Sequence, residues 1–143
     1  MLITKTGSAH WTGQIKDGKG TISTESGALQ DHPYGFNTRF EGVKGSNPEE
    51  LIGAAHAACF TMFLSKLLGD AGFTAAALDT TSRVTLEKVG EGFAITKIHL
   101  SLEGAVPGID SATFTKLANQ AKTDCPVSKL LKAEMTMDAS LKT

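Results

Sequence analysis

Only two residues in the 143-residue chain are ready-made sulfur nucleophiles, Cys59 and Cys125, separated by 66 positions. A cysteine reacts as its thiolate, and a free thiol with a pKa near about 8.5 needs a neighbouring cation to populate that form at neutral pH. Arginine is scarce, with only Arg39 and Arg83 available. Arg39 stands shortly before the segment that carries Cys59, whereas Arg83 belongs to a later hairpin. The plainer readings are a core residue for Cys59, since free cysteine packs well among Ala and Phe, and a solvated surface side chain for either arginine. His56 lies one helical turn before Cys59. A Cys–His hydrolase brings its histidine from elsewhere in the sequence and orients it with Asn or Asp, so His56 reads as packing or a pocket wall. No CxxC, Walker A loop, GxSxG elbow or strand-linked GxGxxG occurs, and four scattered histidines with two distant cysteines make no zinc spacing. Neither a metal nor an organic cofactor is expected.

The background for these residues is ordinary. Hydrophobic residues make up 41% and charged residues 20%, and 14 basic against 15 acidic side chains give a net charge of -1. That composition fits one globular domain over residues 1–143, and no basic run offers a footprint for nucleic acid or an anionic membrane. The opening MLITKTGSAHW lacks the apolar run of a signal peptide, which points to the reducing cytoplasm, where a static disulfide is uncommon. The longest nearly uncharged apolar stretch, Leu51 to Leu64, falls short of the roughly 20 residues that a membrane span needs.

Several elements must position the two cysteines. The first 46 residues, rich in Gly, Thr and Ser, read as β-hairpin structure. Phe36-Asn37-Thr38-Arg39-Phe40-Glu41 alternates as a strand, with Arg39 on the face away from Phe36 and Phe40. Asn47 as N-cap, Pro48 at the first helical position and Glu50 three residues after the cap announce a helix to about Leu68. Its apolar residues run all the way round, as in a helix buried on most sides, with Cys59 in the middle. Residues 80–89 and 93–103 alternate as an antiparallel hairpin. A second helix, capped by Asp110 or Ser111, carries the stripe Phe114, Leu117, Ala118, Ala121, and four residues more reach Cys125. Cys125-Pro126-Val127-Ser128 starts a new turn, placing the sulfur near helix amide donors, so Cys125 is either the last core residue of its helix or a resolving thiol. Strict alternation from Ala133 to Lys142 makes the last element a strand. The layout is α+β.

Glu50 has a capping job, which leaves Glu49 as the spare carboxylate. Glu49 and Cys59 are ten residues apart on one helix, about 15 Å along its axis. If both serve one site, Glu49 comes from a second copy of the chain, and the protein is a symmetric dimer.

The run Asn47-Pro48-Glu49-Glu50-Leu51-Ile52-Gly53-Ala54-Ala55-His56-Ala57-Ala58-Cys59-Phe60, followed by Asp124-Cys125-Pro126-Val127-Ser128, resembles the OsmC/Ohr family of osmotically inducible and organic hydroperoxide resistance proteins. Residues 34–42 and the histidine of Ala-Ala-His-Ala look more like the OsmC branch. The resemblance implies an intertwined α+β homodimer, with antiparallel sheets packed on two main helices and two sites at the subunit interface. It implies Cys59 as peroxidatic cysteine, Cys125 as resolving cysteine, and Arg39 with Glu49 as the activating pair. The implied activity is reduction of organic hydroperoxides, and less efficiently hydrogen peroxide, through a Cys59 sulfenic acid and a transient Cys59–Cys125 disulfide. A dithiol, in the family a lipoylated protein, restores the thiols, and apolar lining from Phe60, Met62 and Phe63 would favour organic substrates. Two rival readings remain: a Cys59/His56 hydrolase, which leaves Cys125 dispensable, and a noncatalytic stress or ligand-binding dimer.

Overall fold

The computed structural model describes residues 1–142. The chain divides into two compact units, Met1–Leu51 and the remainder from Ile52.

The first unit opens with an antiparallel meander of β1 (Gly7–Thr12), β2 (Lys19–Thr24) and β3 (His32–Tyr34), as its turn-rich composition requires. Gly20 pairs with both Trp11 and Tyr34, and any Cβ there would collide with both rings. The missing side chain lets the two aromatics tilt together at 5.6 Å. The next element differs from expectation: Phe36–Phe40 is a short helix, α1, and not a strand. A spacing of four puts Phe36 and Phe40 on one face under either periodicity, so alternation alone could not separate the two. The local chemistry decides it, because Thr38 Oγ1 accepts from the Gly35 amide and donates to the Gly35 carbonyl, both at 3.0 Å, closing the first helical turn. The rings of Phe36 and Phe40 then stack one turn apart at 4.9 Å.

Helix α2 spans Pro48–Asp70. Its start matches the sequence signals, with Asn47 Oδ1 accepting from the Glu50 amide at 2.9 Å. Asn47 also donates through Nδ2 to the Thr38 carbonyl at 3.3 Å, tying α1 to the start of α2. At 23 residues, α2 is longer than the apolar stretch suggested, and by length and composition alone it would reach across a membrane.

In the second unit, β4 (Ala77–Val89) and β5 (Gly92–Ala105) form the expected hairpin, turning at Gly90 with φ +63°. Helix α3 (Ser111–Asp124) follows, capped by Asp110, whose carboxylate accepts from the Thr113 amide at 3.0 Å. A single-turn helix α4 (Pro126–Leu130) leads to β6 (Glu134–Leu141). β6 lies parallel to β5, which corrects the expectation of purely antiparallel sheets. Two helices stand between β5 and β6, and such a crossover returns the chain to the end from which β5 set out.

The core of this unit joins Phe60, Leu64 and Leu68 of α2, Leu100 and Leu102 of β5, and Phe114, Ala118, Ala121 and Cys125 along α3. Gly104 makes room for it, since a Cβ there would lie 2.6 Å from Phe114 Cζ. Helix α2 is not buried on most sides, as its composition suggested. Its buried stripe is Gly53, His56, Phe60, Leu64, Leu67 and Leu68, while Ala54, Ala55, Ala58 and Met62 are exposed.

Candidate active site

Arg39 projects from α1, and its guanidinium grips Glu49, the second residue of α2. Nε donates to Oε1 and Oε2 at 3.0 and 3.2 Å, and Nη2 donates to Oε1 at 2.7 Å. Two nitrogens on one carboxylate fix the plane of the fork as well as its distance. Glu49 also sits where the positive end of α2 favours an anion. The Phe40 ring carries the cation at 5.4 Å. Beside Arg39 opens a cavity of about 290 Å³, lined by Trp11, Ile15, Tyr34, Phe36 and Phe40. Its lining is mostly aromatic and aliphatic.

The two sulfurs belong to the second unit. Cys59 is half-buried on α2, and Cys125 is fully buried where α3 ends and α4 begins; both are free thiols. The α3 stripe delivers Cys125 as its spacing predicts, and Pro126 starts α4 at its first position. The helix start supplies donors to both sulfurs: the Val127 amide to Cys59, and the Ser128 amide to Cys125 Sγ at 3.4 Å. The Cys59 and Cys125 thiols lie within hydrogen-bonding reach of each other. Burial pushes the Cys59 pKa up and the Cys125 thiol adds to this, with the Val127 amide opposing. Within this unit none of the influences on Cys59 is a cation, so the unit alone holds it as a thiol. Arg83 does not fill that place: it is exposed on β4 and alternates with Ser82 and Val84, the residues that meet α2 at Gly53.

His56 is fully buried, and its Nε2 lies 2.7 Å from Ser128 Oγ, which in turn accepts from Cys125 Sγ at 3.1 Å. His56 is thus neither a partner of Cys59 nor a pocket wall. Burial lowers its pKa, favouring the neutral ring. The 72 positions between His56 and Ser128 hide this link from any local reading. The cavity beside Arg39 was equally hidden, although its aromatic residues cluster in the first 40 positions. Phe60 does not line a pocket; it is fully buried in the core, and of the three residues expected as lining only Met62 is exposed. Among the described residues no group of three or more His, Cys, Asp or Glu could hold a metal ion.

An α+β chain with an arginine–glutamate clamp at one helix start and two neighbouring free thiols at another holds the groups that thiol redox chemistry uses. The family model for OsmC-like protein matches residues 41–140. The chain is 66% identical over 142 residues to peroxiredoxin OsmC of Escherichia coli (strain K12), covering 99% of both chains. An organic hydroperoxide resistance protein of Xanthomonas axonopodis pv. citri (strain 306) is 30% identical over 101 residues, 70% of this chain and 69% of that one. The crystal structure of the organic hydroperoxide resistance protein OhrB of Bacillus subtilis superposes with a TM-score of 0.67 at 26% identity, covering 96% of this chain and 98% of that one. The chain belongs to the family of OsmC-like proteins and is a cysteine-based peroxidase.

Proposed function

We propose that the 143 residues act as one domain that reduces organic hydroperoxides, and hydrogen peroxide less efficiently, with Cys59 as the attacking and Cys125 as the resolving thiol. The contact between two free thiols at the start of α4 carries this reading. The Cys59 thiolate attacks the terminal oxygen of the hydroperoxide, the O–O bond breaks, and the departing alkoxide takes up a proton to leave as alcohol. Cys59 is left as a sulfenic acid. Cys125 then attacks that sulfur and expels water, closing the disulfide, and a dithiol reductant reopens it by exchange. A dihydrolipoyl group on a partner protein fits as reductant, and the cytoplasm fits as the compartment, because the full cycle begins and ends with free thiols.

The cation that activates Cys59 is Arg39, supplied by a second copy of the chain. Arg39 travels with Glu49, and Glu49 stands about 15 Å along α2 from Cys59. A symmetric homodimer therefore brings the clamp and apolar cavity of one protomer to the sulfur pair of the other. In such a dimer α2 is a core helix and not a membrane span, its exposed small residues facing the partner.

Consumption of tert-butyl or cumene hydroperoxide with dithiothreitol or dihydrolipoamide tests the reading. Cys59→Ser should abolish turnover, and Cys125→Ser given peroxide without added thiol should stop at a trapped Cys59 sulfenic acid. Full activity in Cys59→Ser would sink it. A hydrolase using His56 has no support in the geometry, since the ring bonds Ser128.

A further inference from the structure

One buried group is left over from this mechanism. His56 is fully buried on α2 and reaches Cys125 only through the Ser128 hydroxyl, a chain of two contacts at 2.7 and 3.1 Å. Cys125 is itself fully buried, and it must lose its proton to attack a sulfenic acid. We propose that Ser128 and His56 form a proton relay that deprotonates Cys125 as it closes the disulfide, with Ser128 touching the reacting sulfur and His56 acting through it as a positioning base.

The contacts allow a transfer in this direction, with the neutral ring presenting Nε2 as the acceptor. The Cys125 thiol donates to Ser128 Oγ. The serine proton has two acceptors, His56 Nε2 at 2.7 Å and Met135 Sδ at 3.6 Å, and the nearer nitrogen is much the stronger. Among the described residues, buried His56 Nδ1 has no hydrogen-bond partner, so Ser128 is the one polar partner of the ring. The groups facing it are Ser128 of α4 and, through that hydroxyl, Cys125 between α3 and α4 and Met135 of β6. Burial alone moves its titration, toward the neutral form that a base requires.

The step balances. The Cys125 proton passes to Ser128 as the serine proton passes to Nε2. The Cys125 sulfur forms the S–S bond while the S–O bond of the Cys59 sulfenic acid breaks. The departing hydroxide leaves as water after protonation, and His56 gives up the proton it accepted. Sulfenic acid and thiol become disulfide and water, with no further oxidant.

This inference rests on the proposed Cys59–Cys125 disulfide, and a rapid-mix experiment separates the two. After one equivalent of cumene hydroperoxide, quenched intact mass follows the sulfenic acid and the disulfide separately across pH 6 to 9. His56→Gln keeps an acceptor for Ser128 but cannot take up its proton. It should form the sulfenic acid at the native rate and close the disulfide at least about tenfold more slowly at neutral pH. The deficit should shrink as pH rises and hydroxide replaces the missing base. Ser128→Ala should behave like His56→Gln, and Ser128→Thr, which keeps the hydroxyl, should recover most of the rate. Closure within about twofold of native in both His56→Gln and Ser128→Ala, or a deficit equal at every pH, overturns the relay. If the native protein forms no disulfide, the underlying reading fails instead. Should His56→Gln not fold, the alanine and threonine pair at Ser128 decides alone.

Discussion

Replacing Arg39 by lysine keeps the positive charge and removes the fork. Because Nε and Nη2 both engage Glu49, the loss is geometric, and sulfenic acid formation at Cys59 should slow by roughly tenfold or more in stopped-flow measurements. Glu49→Gln should slow the same step, since the amide leaves the guanidinium without a charged acceptor. His56 makes a second residue-scale prediction, this time about stability. Its folded pKa lies below the ordinary 6.5, so between those two values the unfolded chain binds a proton that the folded chain refuses. The contribution is fully present above that ordinary value and is lost as pH falls through the folded one. Urea midpoints measured at pH 7.5 and 5.5 should therefore drop for the native chain and drop less for His56→Gln.

At the scale of elements, single contacts hold the site-bearing segments. Asn47 caps α2 through Oδ1 and holds the Thr38 carbonyl of α1 through Nδ2. Asn47→Ala should cost about 1 kcal/mol of stability and slow the Arg39-dependent step, whereas Asn47→Asp keeps the cap and loses the tie. Thermal melts together with peroxide kinetics tell the two roles apart. Gly104→Ala pushes a methyl into the Phe114 ring and should destabilise by about 1–3 kcal/mol, read from chemical denaturation. The helix starts were legible in advance because caps are local: Asn47-Pro48, Asp110 and Cys125-Pro126 each act within four residues. The α1 segment was misread because Phe36 and Phe40 suit both periods, and Gly35 with Thr38 settled the matter through hydrogen bonds that alternation does not register.

For the whole molecule, the proposed division of labour between protomers is open to a sharp test. If each Cys59 uses the partner's Arg39, mixing Cys59→Ser chains with Arg39→Ala chains creates heterodimers with one intact site. Two nearly inactive proteins should then recover up to about a quarter of native activity after subunit exchange. No recovery despite proven heterodimers would place the arginine and cysteine of each site on one chain. Dilution offers a second check. In separated protomers burial holds the Cys59 pKa above its ordinary value, so the pH profile of iodoacetamide alkylation should shift upward at concentrations where sedimentation shows monomers.

Local spacing by itself determined the helix that carries Cys59, the stripe that ends at Cys125, the turn opened by Pro126 and the family likeness of both motifs. These follow from periods and caps, which operate over a few residues. Tertiary structure alone decided the longer-range partnerships: the parallel return of β6, the burial of Phe60, the aromatic cavity at Arg39 within the first unit, and the bond from His56 to Ser128 across 72 positions. Such partnerships depend on how the chain closes its long loops, and no short-range pattern encodes where those loops return.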